Sequence, residues 1–274
     1  NYSRNTADNG GAYSSAVNQN FIDMAFLDDS QPIFQINYLA NLSAQEKLMT
    51  SHTVAGEGSG AATSPFRCQG VGKWANTSSP LQSYRSYNAS SGSFATGSEV
   101  VVLGYDPTDT HTEADNFWQE LASADLSGGA SDVLDSGIFT AKRYLWIQAF
   151  MEEDGGVIGG VLNFNNDTSA LYARRRSSNG ASDSTDTSAV SIDVRGGELK
   201  NRFENLFIVN VSAQEKLVIG SMMVTTAGVT NAPDRTEYVA KWDNTASQIT
   251  SLKWTNGDAG SYGTNSFIKV WGSD

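Results

Sequence analysis

Two stretches, FQINYLANLSAQEKL from Phe34 to Leu48 and FENLFIVNVSAQEKL from Phe203 to Leu217, close on the same six residues, SAQEKL. Their surroundings match as well. Downstream, SPFRCQGVGKWANTSS lies beside APDRTEYVAKWDNTAS, pairing Pro65 with Pro233, Arg67 with Arg235 and Trp74 with Trp242. The spacing between copies is one residue shorter there, so the intervening loop differs in length. Further on, GSFATGSEVVVLGYD pairs with GSYGTNSFIKVWGSD, and Gly104 meets Gly272. Upstream, NYSRNTADNGGAYSSAV lies beside LYARRRSSNGASDSTDTSAV, with Tyr2 opposite Tyr172 and Arg4 opposite Arg174. The chain carries a duplicated unit, and SAQEKL predicts a charged turn between two of its strands.

The unit has the chemistry of β-structure. YLANL, LFIVNV, KLVIGSMMV, RTEYVAKW and FIKVW are short runs rich in β-branched and aromatic residues, separated by turn clusters such as NASSGS and TNGDAGS. No segment keeps a 3.6-residue apolar period over three turns. The nearest, NFWQELASADL from Asn116 to Leu126, predicts the opening strand of a domain, with a short helix as the alternative. The expected fold is all-β: two tandem antiparallel β-sandwich, jelly-roll-like units, residues 1–107 and 108–274. The first is incomplete at its N-terminus, because nothing in it matches NFWQELASADL or YLWIQAF. A sandwich lacking strands exposes apolar face and open backbone edge. Completion is expected from polypeptide upstream of Asn1 or from strands of a neighbouring subunit, and a smaller, differently closed sheet is the third reading.

Composition narrows the classes. With 274 residues, 39% of them hydrophobic, the chain can bury a core. Its formal charge of -12 argues against a nucleic-acid partner, which needs a basic surface. No apolar run approaches the ~20 residues of a membrane span. Cys68 is the lone cysteine, so an internal disulfide is excluded. The chain opens on Asn1 rather than Met and is expected to be processed or part of a longer product.

KWANTSS, GSEVVVLGYDPTDTHTEADNFWQELASADLSGGASDVL, GIFTAKRYLWIQ, FNNDT, SSNG, NVSAQEKLVIG and the closing IKVWGSD give the chain a resemblance. It resembles tandem-repeat β-sandwich structural proteins of marine tailed bacteriophages and related environmental viruses. The resemblance covers the chain from the Tyr2 region to Asp274. It implies a virion component, on a capsid exterior, in a fibre or in another appendage, and implies no catalytic residues. The expected partners are copies of itself, with a trimer as one stoichiometry, and other virion proteins.

The candidates for chemistry are few. His52 and His111 are the only histidines, and no GxSxG elbow accompanies them, so a Ser-His-Asp triad has no support. GEGSGA, Gly56 to Ala61, lacks the Lys-Ser/Thr of a phosphate loop and is expected to be a flexible connection between strands. The carboxylate clusters Asp28-Asp29 and Glu152-Glu153-Asp154 adjoin turn-like sequence and are expected to be solvated charges rather than a glycosidase pair. Asp106, Asp109, Glu113 and Asp115, in the DPTDTHTEAD joining the units, supply the hard oxygens that Ca²⁺ prefers; an ordinary acidic linker is the other reading. No further cofactor is expected. Arg174, Arg175 and Arg176 form the one dense basic run, read as solvated edge charge or as contacts to an acidic neighbouring subunit. Trp74 and Trp242 are expected in packing, although solvent-facing aromatics would favour a carbohydrate-binding module for host-surface glycans. An extracellular filament subunit joined by strand donation is the third class. Six Asn-x-Ser/Thr sequons, at Asn1, Asn41, Asn76, Asn88, Asn166 and Asn210, are close to what this composition produces without glycosylation.

Overall fold

The computed structural model describes residues 2–9, 12–22, 31–89, 91–104, 117–194, 200–225 and 232–274. Among these no helix occurs, so none is long and apolar enough to cross a membrane. The strands pair antiparallel. Strands β1 (Tyr2–Asp8), β2 (Ala12–Gln19), β3 (Ile33–Ala40), β4 (Lys47–Ala55) and β5 (Phe66–Trp74) form a five-stranded sheet in the order β2-β1-β5-β4-β3. The rest of the chain supplies β6 (Gln119–Asp125), β7 (Val133–Asp135), β8 (Tyr144–Met151), β9 (Glu153–Asp154), β10 (Val161–Phe164), β11 (Tyr172–Ser178), β12 (Ser184–Ala189) and β13 (Ile192–Asp193). These are followed by β14 (Arg202–Val209), β15 (Lys216–Val224), β16 (Asp234–Trp242), β17 (Leu252–Thr255), β18 (Ser261–Tyr262) and β19 (Phe267–Ser273).

Eight of these strands form one sheet, in the order β12-β11-β16-β15-β14-β8-β19-β6, and β13-β10-β17-β7 form another. The two gather one core. Leu145, Ile147, Ala149 and Met151 of β8, at alternate positions, cluster with Leu134, Leu162, Phe164, Leu252 and Trp254 of the smaller sheet. Period-two alternation on β8 and β14 is what a sheet buried on one face and half covered on the other demands.

The run β12-β11-β16-β15-β14 repeats β2-β1-β5-β4-β3 strand for strand. Register repeats too: Tyr2 and Lys47 both lie opposite Trp74, as Tyr172 and Lys216 lie opposite Trp242. Both leading hairpins slip register at the same place, between Tyr2 and Arg4 and between Tyr172 and Arg174.

SAQEKL is the turn that the sequence predicts, and its side chains say why it is written twice. Ala44 and Ala213 sit in the left-handed region, at φ 60° and 61°, where a β-branched residue would be strained. Lys47 and Lys216 are buried, at 1% and 0% exposure. Lys47 Nζ donates to the carbonyls of Gln45 and Asn76 at 2.7 and 2.9 Å; Lys216 Nζ donates to those of Gln214 and Asn244, both at 2.7 Å. Each ammonium also lies about 6 Å from the neighbouring indole, 6.0 Å for Trp74 and 5.9 Å for Trp242. Each lysine therefore pins its own turn to the next one.

Asparagines bracket the strands in the same repeated fashion. Asn41 exchanges two hydrogen bonds with the backbone of Leu81, and Asn210 does so with Ile249. Asn210 has no exposed surface, so this sequon has a structural role and offers no acceptor to a glycosyltransferase in the folded chain.

The first unit departs from the expectation of a sandwich trimmed only at its N-terminus. Ser98–Gly104, aligned with β19, forms no strand, and Val100 and Val102 are 55% and 73% exposed where Ile268 and Val270 are fully buried. The reason is partnership. β19 lies between β8 and β6, and among the described residues of the first unit no strand takes the place of either. A strand without neighbours leaves its backbone groups unpaired, so the segment stays irregular and open to water. Among the described residues the first unit is one five-stranded sheet.

Candidate functional site: the joint between the repeats and its open copy

The first sheet lies on the outer face of the eight-stranded sheet, away from the sandwich core. Val54 packs with Leu217, Ile219 and Val239, flanked by Phe34, Ile36 and Val209. Polar contacts surround this apolar centre. Arg67 makes a two-pronged pair with Asp183, Nε to Oδ2 at 3.2 Å and Nη2 to Oδ1 at 2.6 Å, with both side chains at most 5% exposed. Lys241, fully buried, pairs with Glu215 at 3.4 Å and donates to the carbonyls of Gly56 and Gly58 at 3.0 and 2.6 Å. Glu215 in turn accepts from the amide of Gly60 at 2.5 Å, and Asp243 accepts from that of Ala61 at 3.2 Å.

GEGSGA is thus no loose connection, contrary to the sequence expectation. Its backbone is the clamp that satisfies a buried lysine and a buried carboxylate of the other unit. Glycine is required where the loop turns: Gly58 and Gly60 have φ 120° and 81°, and a Cβ on Gly60 would stand 3.3 Å from the Asp243 carboxylate. The signal in the sequence was the concentration of Gly, but its partners lie more than 150 positions away along the chain, Gly60 to Glu215 being separated by 155.

The basic run divides. Arg175 crosses to the first unit, donating to the Pro65 carbonyl at 2.8 Å and to Ser64 Oγ at 3.1 Å, with Glu57 3.4 Å away. Arg174 pairs with Asp186 of its own hairpin at 2.5 Å, and Arg176 donates to Ser184 Oγ and to the Val194 carbonyl. The sequence reading of this run is solvated edge charge or contacts to a neighbouring subunit, whereas Arg175 reaches the first half of its own chain. Glu152 is held by the amide and side chain of Asn265 at 3.0 and 2.8 Å, as a turn carboxylate would be. Asp28, Asp29, Asp106, Asp109, His111, Glu113 and Asp115 lie outside the described residues. Among the described residues no cluster of three His, Cys, Asp or Glu is placed to hold a metal ion.

His52 stands at the joint, and burial lowers its pKa, offset in part by the nearby Glu237. The cavity there, lined by His52, Arg67, Ile219 and Tyr238 among others, measures about 10 Å³, room for a single water and not for a sugar ring. Trp242 is fully buried against Tyr172 and Phe164, as packing predicts. Trp146 has both ring faces taken, by Trp271 at 4.7 Å and Phe207 at 5.9 Å.

The first unit carries an uncovered copy of half of this joint. Leu48 and Val71 stand where Leu217 and Val239 stand, and they are 57% and 52% exposed against 0% and 2%. Lys73 and Glu46 pair at 3.1 Å, as Lys241 and Glu215 do, with each side chain 43% exposed. Conversely Met223, the counterpart of the buried Val54, is 52% exposed, and Arg235, the counterpart of Arg67, is 59% exposed along its side chain. The fold and this surface define an all-β protein whose repeats grip one another through opposite ends of the same face. No protein-family model, no curated protein and no solved structure matches the chain.

Proposed function

We propose that this chain is a non-enzymatic virion structural protein that acts through self-assembly and subunit contacts, as shell decoration or as part of a fibre. The observation that carries the reading is the unfinished first unit. β3 pairs with β4 and, among the described residues, with nothing on its other edge, whereas its counterpart β14 is paired on both sides, with β15 and β8. The strand-competent run Val100–Leu103 also lies exposed. Strands equivalent to β8 and β6, from a neighbouring subunit or from preceding polypeptide, would pair both. An element kept ready for pairing is a liability in a protein that works alone and a joint in one that works assembled. The aromatic residues support the same reading, since Trp242 is buried against Tyr172 and the half-buried Trp146 is stacked between Trp271 and Phe207, which leaves neither ring face free for a glycan.

The test is immunogold labelling of native virus particles with an antibody raised against residues 117–274. Gold on the particle is expected, and its position separates shell from fibre. Particles left clean by an antibody shown to reach its epitope would overturn the virion reading.

A further inference from the structure

The joint inside the chain is heterologous. Val54 of the first unit meets Leu217 of the second, so a two-fold axis between the units would also bring Leu48, the counterpart of Leu217, against Met223, the counterpart of Val54. Both are more than half exposed. No two-fold relates the units, and the operation that carries the first onto the second leaves one half-site open at each end. Burial along the strands records this offset. On the outer face of β4, Leu48 and Thr50 are exposed and Val54 is buried; on β15, Leu217 and Ile219 are buried and Ser221 and Met223 exposed. On β5, Arg67 is buried and Val71 exposed; on β16, Arg235 is exposed and Val239 and Lys241 buried.

We propose that the Leu48–Val71 surface of the first unit binds the Met223–Arg235 end of a second copy of this chain, so that copies stack head to tail in an open series. The proposal rests on the assembly reading above and gives it a partner and a geometry. The occupant is argued from continuity with the internal joint. The open surface keeps the joint's Leu, Val, Lys and Glu at the same positions, and the free end offers Met223 and Arg235 where the occupied one has Val54 and Arg67. Other parts of the joint are absent. Thr50 stands for Ile219, Ala75 for Asp243 and Asn5 for Arg175, so the contact between copies lacks polar clamps present within a copy and is the weaker of the two. A heterologous interface propagates in an open series unless its rotation closes a ring, and the stack is the open series, in distinction from a closed trimer.

Sedimentation velocity of the full chain over a concentration series tests this. The unaltered chain is expected to form a ladder of dimers, trimers and longer species that grows with concentration. Leu48→Asp blocks one end and Met223→Asp the other, so each alone is expected to remain monomeric, and Val71→Asp should behave as Leu48→Asp does. An equal mixture of Leu48→Asp and Met223→Asp joins the one free end of each, giving a dimer and nothing larger; its appearance also proves both variants folded. An unaltered chain that stays monomeric, or that stops at a closed dimer or trimer, overturns the proposal, as does a mixture that fails to associate. Stacking without gold on particles would sink the virion reading alone. Gold on particles with a monomeric chain would sink the stacking alone.

Discussion

Lys216 and Glu204 are both fully buried ionisable side chains, and the fold treats them differently. Lys216 has two backbone carbonyls, and burial pulls its pKa down to about 8; even as a neutral amine it keeps two N–H groups for them. Glu204 accepts from Tyr238 OH at 3.1 Å, and burial raises its pKa above the ordinary 4.5, opposed by the charge of Arg202. The folded state therefore holds a proton on Glu204 at pH values where the unfolded chain has released it. Stability is full below about 4.5 and falls as pH climbs through the folded value. Glu204→Gln keeps the acceptor for Tyr238 and removes the titration; Gln35 already stands at this place in the first unit. The variant is expected to flatten the decline of stability from pH 4.5 towards neutrality, and urea unfolding at a series of pH values checks it. An unchanged slope would mean that the carboxyl titrates alike in both states. The sequence marks Lys216 through the repeated SAQEKL, but nothing in it marks Glu204 as buried, because a single Glu in an alternating strand reads as an outward position.

At the scale of elements, the Gly56–Ala61 clamp separates two lysines that the sequence writes identically. Lys241 is buried with Glu215 and two loop carbonyls, while Lys73 pairs with Glu46 in water. Removing one member of a buried, hydrogen-bonded pair leaves its partner uncompensated and costs roughly 3–5 kcal/mol. An exposed pair contributes less than about 1 kcal/mol. Lys241→Ala is therefore expected to lower unfolding free energy by several-fold more than Lys73→Ala, read from urea midpoints at constant m-value. Equal effects would show that the clamp holds nothing. The strands at LFIVNV, KLVIGSMMV, RTEYVAKW and FIKVW were legible because β-branched content and turn chemistry are local. The failure of Ser98–Gly104 to become a strand was not, since VVVL has the propensity and lacks only neighbours.

For the whole molecule, the core that unites the eight-stranded and four-stranded sheets is built from residues after Phe117, and the first sheet adds a layer outside it. A fragment of residues 117–274 is expected to melt cooperatively by circular dichroism. Its melting temperature should lie below that of the full chain, because Leu217, Ile219 and Val239 lose their cover and the Lys241–Glu215 pair its clamp. Residues 1–104 alone are expected to show no cooperative transition, having one sheet with an open edge and no second layer of strands among the described residues. A cooperative melt of the first fragment would contradict this layering.

Local chemistry along the chain is enough to establish an all-β fold, a unit written twice and the places where the turns of that unit fall. These follow from side-chain period, β-branched content and turn residues, which act over a few positions. It took tertiary contacts to establish that the described residues of the first unit form a single sheet, that this sheet lies on the outer face of the second unit, and that the two meet off-centre. Those outcomes depend on which strands find partners and which equivalent surfaces touch. Identical sequence cannot specify them, because Leu48 and Leu217 carry the same chemistry and differ only in what lies against them.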